Sequence, residues 1–195
     1  MAQKIIDLGD NTVIPAIKGE PLTTGGGKIN DNFTELYNRG YFTVDSDDTF
    51  TVPTNASFVT GLEVIGTMKG FSLDTVNEAV ENVSGRTLNM TGMVSFQLER
   101  TGGGDTILWF YSESSTDGIT WTKNAKSLRE IKIGKDGVDY KSGFSFTQVP
   151  WNNGVKIRFM FEVDTANSLE FLSVNNEFGG DTVTSHAFVW NMSEH

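Results

Sequence analysis

The sequence predicts a mainly β protein: an antiparallel jelly-roll β-sandwich of about eight strands, preceded by a short α-helix and an extended N-terminal arm. Three observations predict it. From Tyr41 onward, short segments rich in Phe, Val, Ile and Thr recur, several alternating apolar and polar residues at a period of two. Gly-, Asn- and Asp-containing turn signals separate them. No amphipathic helix interrupts the series, so its strands have no βαβ crossover and must pair antiparallel.

The elements follow in chain order. Residues 1–27 are turn-rich, with Gly9, Pro15, Gly19, Pro21 and the triple glycine Gly25, Gly26 and Gly27. In "KINDNFTELYNRG", Ile29, Phe33, Leu36 and Tyr37 fall at i, i+4, i+7 and i+8, one face of a helix, and Gly40 stands where a helix stop belongs. A helix this short is marginal alone, so its apolar stripe calls for a partner surface. The glycines before it read as a hinge. "YFTV" and "TFTV" then bracket the turn "DSDD", and 53–90 reads as a looser stretch. The strand candidates after it are "GMVSFQLER", with Val94, Phe96 and Leu98 on one face, and "TILWFYSES", apolar on both faces. "GITWT", "LREIKIG", "GFSFTQVP", "VKIRFMFEVD", "SLEFLSV" and "TVTSHAFVWNM" complete the set. This gives an N-terminal segment at 1–40 and a β domain at 41–195, with 41–90 as a connecting subregion.

Composition narrows the functions. The 195 residues carry a formal net charge of -10. Nucleic-acid backbones and anionic membranes are bound by clustered Lys and Arg, so neither partner is expected. With no cysteine, disulfides, zinc–thiolate centres and cysteine nucleophiles are excluded. The first residues lack the apolar core of a signal peptide and no segment is long enough for a membrane helix, so the expected site of synthesis is a reducing cytosol. The Asn-x-Ser/Thr triplets at Asn32, Asn55, Asn82, Asn89 and Asn191 then reflect an Asn- and Thr-rich chain.

Few residues offer chemistry. "TGGGKI" departs from a phosphate-binding loop: Leu22 stands where the earlier glycine belongs, and Ile29 follows Lys28. His186 and His195 are the only imidazoles, too few for a His-rich metal site, and His186 reads as structural. Glu99, Glu113, Glu130, Glu162, Asp164 and Glu170 lie on or near strands; a glycosidase would need two of them to converge. "DSDD" (Asp45 to Asp48) and "DGVD" (Asp136 to Asp139) supply oxygen ligands of the kind calcium takes but match no EF-hand loop. Trp109, Trp121, Trp151 and Trp190 suit a core or a sugar platform. Trp151, in "PWNNG", is the candidate for an exposed glycan contact. No catalytic residue, cofactor or metal ligand is assigned, and the chain is not expected to be an enzyme.

"GEPLTTGGGKINDNFTELY" resembles a motif of tailed-bacteriophage virion proteins, a Gly-Asp-Pro-Leu run followed by "KINxNFxELY". Gly19, Glu20, Pro21 and Leu22 match its first part; Lys28, Ile29, Asn30, Asn32, Phe33, Glu35, Leu36 and Tyr37 match its second. "TTGGG" departs from the more helix-compatible segment usual between them. The C-terminal part, through "SSTDGITWT", "SLREIKIGKDG", "VKIRFMFEV" and "TVTSHAFVWNM", is similar to phage proteins with a tumour-necrosis-factor-like jelly roll. These resemblances imply a homotrimer packed through an aromatic-rich face and anchored by its N-terminus to capsid, portal-neck or tail proteins. They imply a head or neck fibre or a capsid decoration, made in the bacterial cytoplasm and resident in the virion. The alternative they leave is a tail fibre that binds a receptor or host glycan.

Overall fold

The structure, a computed structural model, describes residues 39–102, 104–134, 139–166, 168–178 and 181–195. The predicted arm, the hinge at Gly25–Gly27 and the helix carrying Ile29, Phe33, Leu36 and Tyr37 lie outside the described residues. The chain divides into two units, Gly40–Glu194 and a second comprising Met1–Arg39 with His195; the account below concerns the first.

Its strands, in chain order, are β1 (Tyr41–Ser46), β2 (Phe50–Thr51), β3 (Ser57–Phe58), β4 (Glu63–Val64), β5 (Phe71–Asp74), β6 (Ala79–Asn82), β7 (Leu88–Arg100) and β8 (Thr106–Ser115). They continue with β9 (Thr122–Lys123), β10 (Arg129–Ile133), β11 (Asp139–Trp151), β12 (Lys156–Val163), β13 (Leu169–Phe171), β14 (Val174–Phe178), β15 (Asp181–Ser185) and β16 (Phe188–Glu194). One sheet runs β2-β13-β7-β16-β1-β4, with β11 on the free flank of β7. The other runs β10-β8-β12-β6-β5, with β9 beside β8 and β3 beside β12. β14 and β15 form a separate hairpin. All these pairings are antiparallel.

Alternation explains the first sheet. Leu88, Met90, Val94, Phe96 and Leu98 of β7 are buried, as are Phe188, Trp190 and Met192 of β16. In the second sheet Leu108 and Phe110 of β8 and Phe159, Phe161 and Val163 of β12 supply the facing layer. The two layers meet ring to ring: Phe96 lies 5.7 Å from Phe110 and 5.4 Å from Phe161, and Phe161 lies 4.6 Å from Phe171. Edge-on and tilted arrangements dominate, as ring quadrupoles favour. The aromatic residues therefore concentrate between the sheets. On the outer face of β7, β16 and β1 the described side chains are mostly Thr, Ser and Asn, with Tyr41, Met93 and Val189 among them.

Residues 41–90 do not merely connect. β1, β2 and β4 belong to one sheet and β3, β5 and β6 to the other. Conversely, "GITWT" is a turn except at Thr122, and "TVTSHAFVWNM" breaks at His186 and Ala187 into β15 and β16. At one end of the sandwich Asn82, fully buried, joins the loop after β6 to the end of β11. Its Nδ2 donates to the carbonyls of Arg86 (2.9 Å) and Trp151 (2.7 Å), and its Oδ1 accepts from the Ser84 backbone N–H (3.0 Å).

Candidate functional site

The "DSDD" stretch at the end of β1 divides its side chains between two sides. The Ser46 hydroxyl donates to the Thr60 carbonyl at 2.5 Å, and Asp48 accepts from the Thr60 hydroxyl at 3.1 Å. Asp45 and Asp47 instead converge on His186. One oxygen of each carboxylate lies 2.8 Å from the same imidazole nitrogen, Nδ1. His186 is held from both sides. The Ser185 hydroxyl donates to Gln97 Oε1 at 3.0 Å, and the Gln97 backbone N–H donates to the Ala187 carbonyl at 2.9 Å. Asp45 is mostly buried and stands opposite Glu63 in the β1–β4 register. Burial pushes the Asp45 carboxyl above its ordinary range; the charges of Asp47 and Glu63 push the same way, against the lowering pull of His186. Among the described residues no Lys or Arg pairs with Asp45 or Asp47. His186 also borders an open cavity of about 390 Å³ with Ser95, Gln97, Ser142, Gly143 and Ser185.

A second concavity opens at the sandwich edge, where β8 and β9 face the end of β11. This cleft, of about 420 Å³, is lined by Ser112, Ser114, Thr122, Lys123 and Asn124 on one side and Val149, Pro150, Trp151, Asn152 and Val155 on the other. The backbone register of β11 against β7 shifts between Phe146 and Val149, next to the cleft; bulges commonly re-aim side chains at sites. The hydroxyls of Ser112, Ser114 and Thr122 make no hydrogen bond among the described residues. Ser112 is 8% exposed.

The outer face of the second sheet is closed by side chains. Arg158 lies over the Trp121 ring at 3.9 Å and the Phe58 ring at 5.0 Å, and pairs with Glu113 at 2.9 Å. Beneath them Tyr111 is buried, and burial together with Glu113 and Glu162 raises its phenol above the usual range.

Trp151 requires a correction. The turn signals in "PWNNG" belong to residues after it; Trp151 is the last residue of β11, opposite Leu88, and faces the core. It is 1% exposed, stacks on Trp190 at 5.7 Å, and donates its indole N–H to the Val155 carbonyl at 2.7 Å. Its ring is not available to a sugar. Trp190 is equally buried, whereas Trp109 and Trp121 are half-buried.

The carboxylates considered for glycoside cleavage do not gather in a cavity. Glu113 is tied to Arg158, and Asp164 accepts from the Thr106 hydroxyl (2.7 Å) and the Ile107 backbone N–H (3.0 Å). Glu130 and Glu162 stand on β10 and β12, each opposite Trp109. Glu99 and Glu170 are direct neighbours across β7 and β13, on the outer face. None of the six lines either cavity described above. Asp136 lies outside the described residues. The convergence of Asp45, Asp47 and His186 was not visible in the sequence: "DSDD" was a signal, but its imidazole partner lies on the far side of a strand pairing.

No protein-family model and no curated protein matches the chain. Among solved structures it is similar to Eiger TNF from S. frugiperda, with a TM-score of 0.50 and 8% identity over 80% of this chain and 92% of that one. Murine APRIL at pH 5.0 is also similar, with a TM-score of 0.49 and 7% identity over 80% of this chain and 99% of that one. The likeness to Eiger, with two antiparallel sheets around one aromatic core, shows that the chain has a TNF-like jelly-roll fold.

Proposed function

We propose that the chain is a non-enzymatic structural protein of a tailed-phage virion, a homotrimeric head or neck fibre or capsid decoration. Its N-terminal segment would dock on the particle and its jelly roll would project outward. The observation that carries this reading is a junction: a jelly-roll unit begins at Gly40, directly after a segment that resembles a virion-attachment motif and ends its match at Tyr37. Burial of Ile29, Phe33, Leu36 and Tyr37 against a capsid, portal-neck or tail surface would contribute several kcal/mol per chain at roughly 25 cal/mol per Å². Three linked copies would add avidity without requiring each contact to be strong.

Deleting residues 1–38 tests the anchor. The expected variant keeps its β structure by circular dichroism but no longer enters particles; unimpaired incorporation refutes the proposal. Light scattering at micromolar concentration tests the trimer, and a stable monomer refutes it.

The edge cleft favours a second reading, a fibre that binds a host glycan. Its unengaged hydroxyls and apolar wall suit a polyhydroxylated ligand. Glycan-array binding abolished by Ser112→Val supports this reading, and no binding to any array sugar counts against it.

A further inference from the structure

We infer that Asp45, Asp47 and His186 form a binding site for one divalent transition-metal ion of the zinc class. Two carboxylate oxygens and an imidazole nitrogen come within 4.8 Å of one another, from segments far apart in sequence. Zinc bonds to such ligands at about 2.0–2.2 Å, which places neighbouring ligand atoms about 2.9 Å apart in octahedral and about 3.4 Å apart in tetrahedral geometry. The two nitrogen–oxygen distances are 2.8 Å, so these two separations need lengthen by only tenths of an ångström.

Charge points the same way, independently of distance. Asp45 is 9% exposed, Asp47 is beside it, and Glu63 stands across the strand pair. Against these carboxylates the described residues offer one imidazole and no Lys or Arg. A single Nδ1 has one proton to share between the buried Asp45 and Asp47, whose side chain is largely exposed. A buried carboxylate without adequate counter-charge is costly, and a divalent cation removes the excess. The Asp47 side chain is 55% exposed, which gives water access to the remaining coordination positions.

The mixed donor set selects the ion. Imidazole suits zinc and its neighbours, whereas calcium and magnesium take oxygen ligands almost exclusively. The anchoring of Ser185 and Ala187 to Gln97 fixes the histidine before any metal arrives. A bound ion would tie the end of β1 to the residues that lead into β16. The inference is independent of the particle role proposed above, and its test requires no particles.

The experiment is calorimetric titration of zinc chloride into the untagged full-length chain in a non-chelating buffer. The expected result is saturation near one zinc per chain, weakened about tenfold or more by His186→Gln and by Asp47→Asn. Millimolar magnesium or calcium should not displace the zinc. Both substitutions are at partly exposed side chains, and melting curves without metal establish that each variant is folded. If one variant fails to fold, the other decides. Absence of saturable binding overturns the inference. So does binding that survives both substitutions, or displacement of zinc by calcium.

Discussion

Replacing Asn82 by aspartate exchanges one NH2 for an oxygen of nearly the same size, in a fully buried position. The wild-type amide donates two hydrogen bonds, to the carbonyls of Arg86 and Trp151. In the variant a carboxylate oxygen faces those two carbonyl oxygens; the Trp151 carbonyl loses its amide donor, while the Arg86 carbonyl keeps the Ser84 hydroxyl at 3.1 Å. A lost buried partner costs ~1–3 kcal/mol, and more where a charge is buried against acceptors, so Asn82→Asp should destabilise by about 3 kcal/mol at neutral pH. With a urea m-value of about 2 kcal/mol/M, the midpoint falls by about 1.5 M. The sign with pH follows from the introduced group. Burial among acceptors raises its folded-state pKa above the ordinary carboxylate value, and the neutral acid regains one donor. The deficit relative to wild type is therefore largest above the folded pKa and shrinks as pH falls toward ~4, the unfolded value. Urea unfolding at pH 7 and pH 4.5, with wild type as reference, measures both effects. A midpoint shift below ~0.3 M at pH 7, or a deficit that grows on acidification, refutes the assignment of Asn82 as the clamp joining these segments.

Two further outcomes follow from the same structure. A Cβ on Gly92 would collide with the Asn191 carbonyl and lie 2.8 Å from Met192 Cα. Gly92→Ala should therefore wedge β7 from β16 and lower stability by ~1–3 kcal/mol, read as a drop in melting temperature; an unchanged melting temperature contradicts the pairing. Asp74 is raised by burial but lowered more by Lys156 Nζ at 2.5 Å and by the side-chain and backbone N–H groups of Asn77, so its pKa falls to about 2. Its stabilising contribution, about 2 kcal/mol, is complete above pH ~4 and lost as pH falls through ~2. Asp74→Ala should then differ from wild type at pH 6 and converge with it near pH 2, and a difference that persists in acid contradicts the ion pair.

How much of this was legible in the sequence depended on strand length. In β7 the alternation of Val94, Phe96 and Leu98 spans a long strand, and those residues are buried as the period requires. The pieces between Phe50 and Asn82 are two to four residues long, too short to show a period, so their pairing partners and not their own pattern make them strands. Trp151 misled because turn signals crowd one side of it, while its inward direction comes from its register against Leu88. The meeting of Asp47 with His186 required the β1–β16 register, which no local spacing encodes. The outer face of β7, β16 and β1 proved poor in described aromatic residues for a similar reason. The sequence shows how many rings there are, and register decides which side of a sheet receives them.

The place of β16 has a consequence for synthesis. This strand lies between β7 and β1, yet it leaves the ribosome after every other described strand. Until it arrives, β1 and β7 face each other across an empty slot with their backbone hydrogen-bonding groups unmet. A nascent chain cannot close this sheet stepwise, and one that stops before Phe188 presents two open edges prone to wrong pairing. Closure of the domain thus waits on its last described strand, so a chain that stops short of Phe188 cannot complete the sandwich.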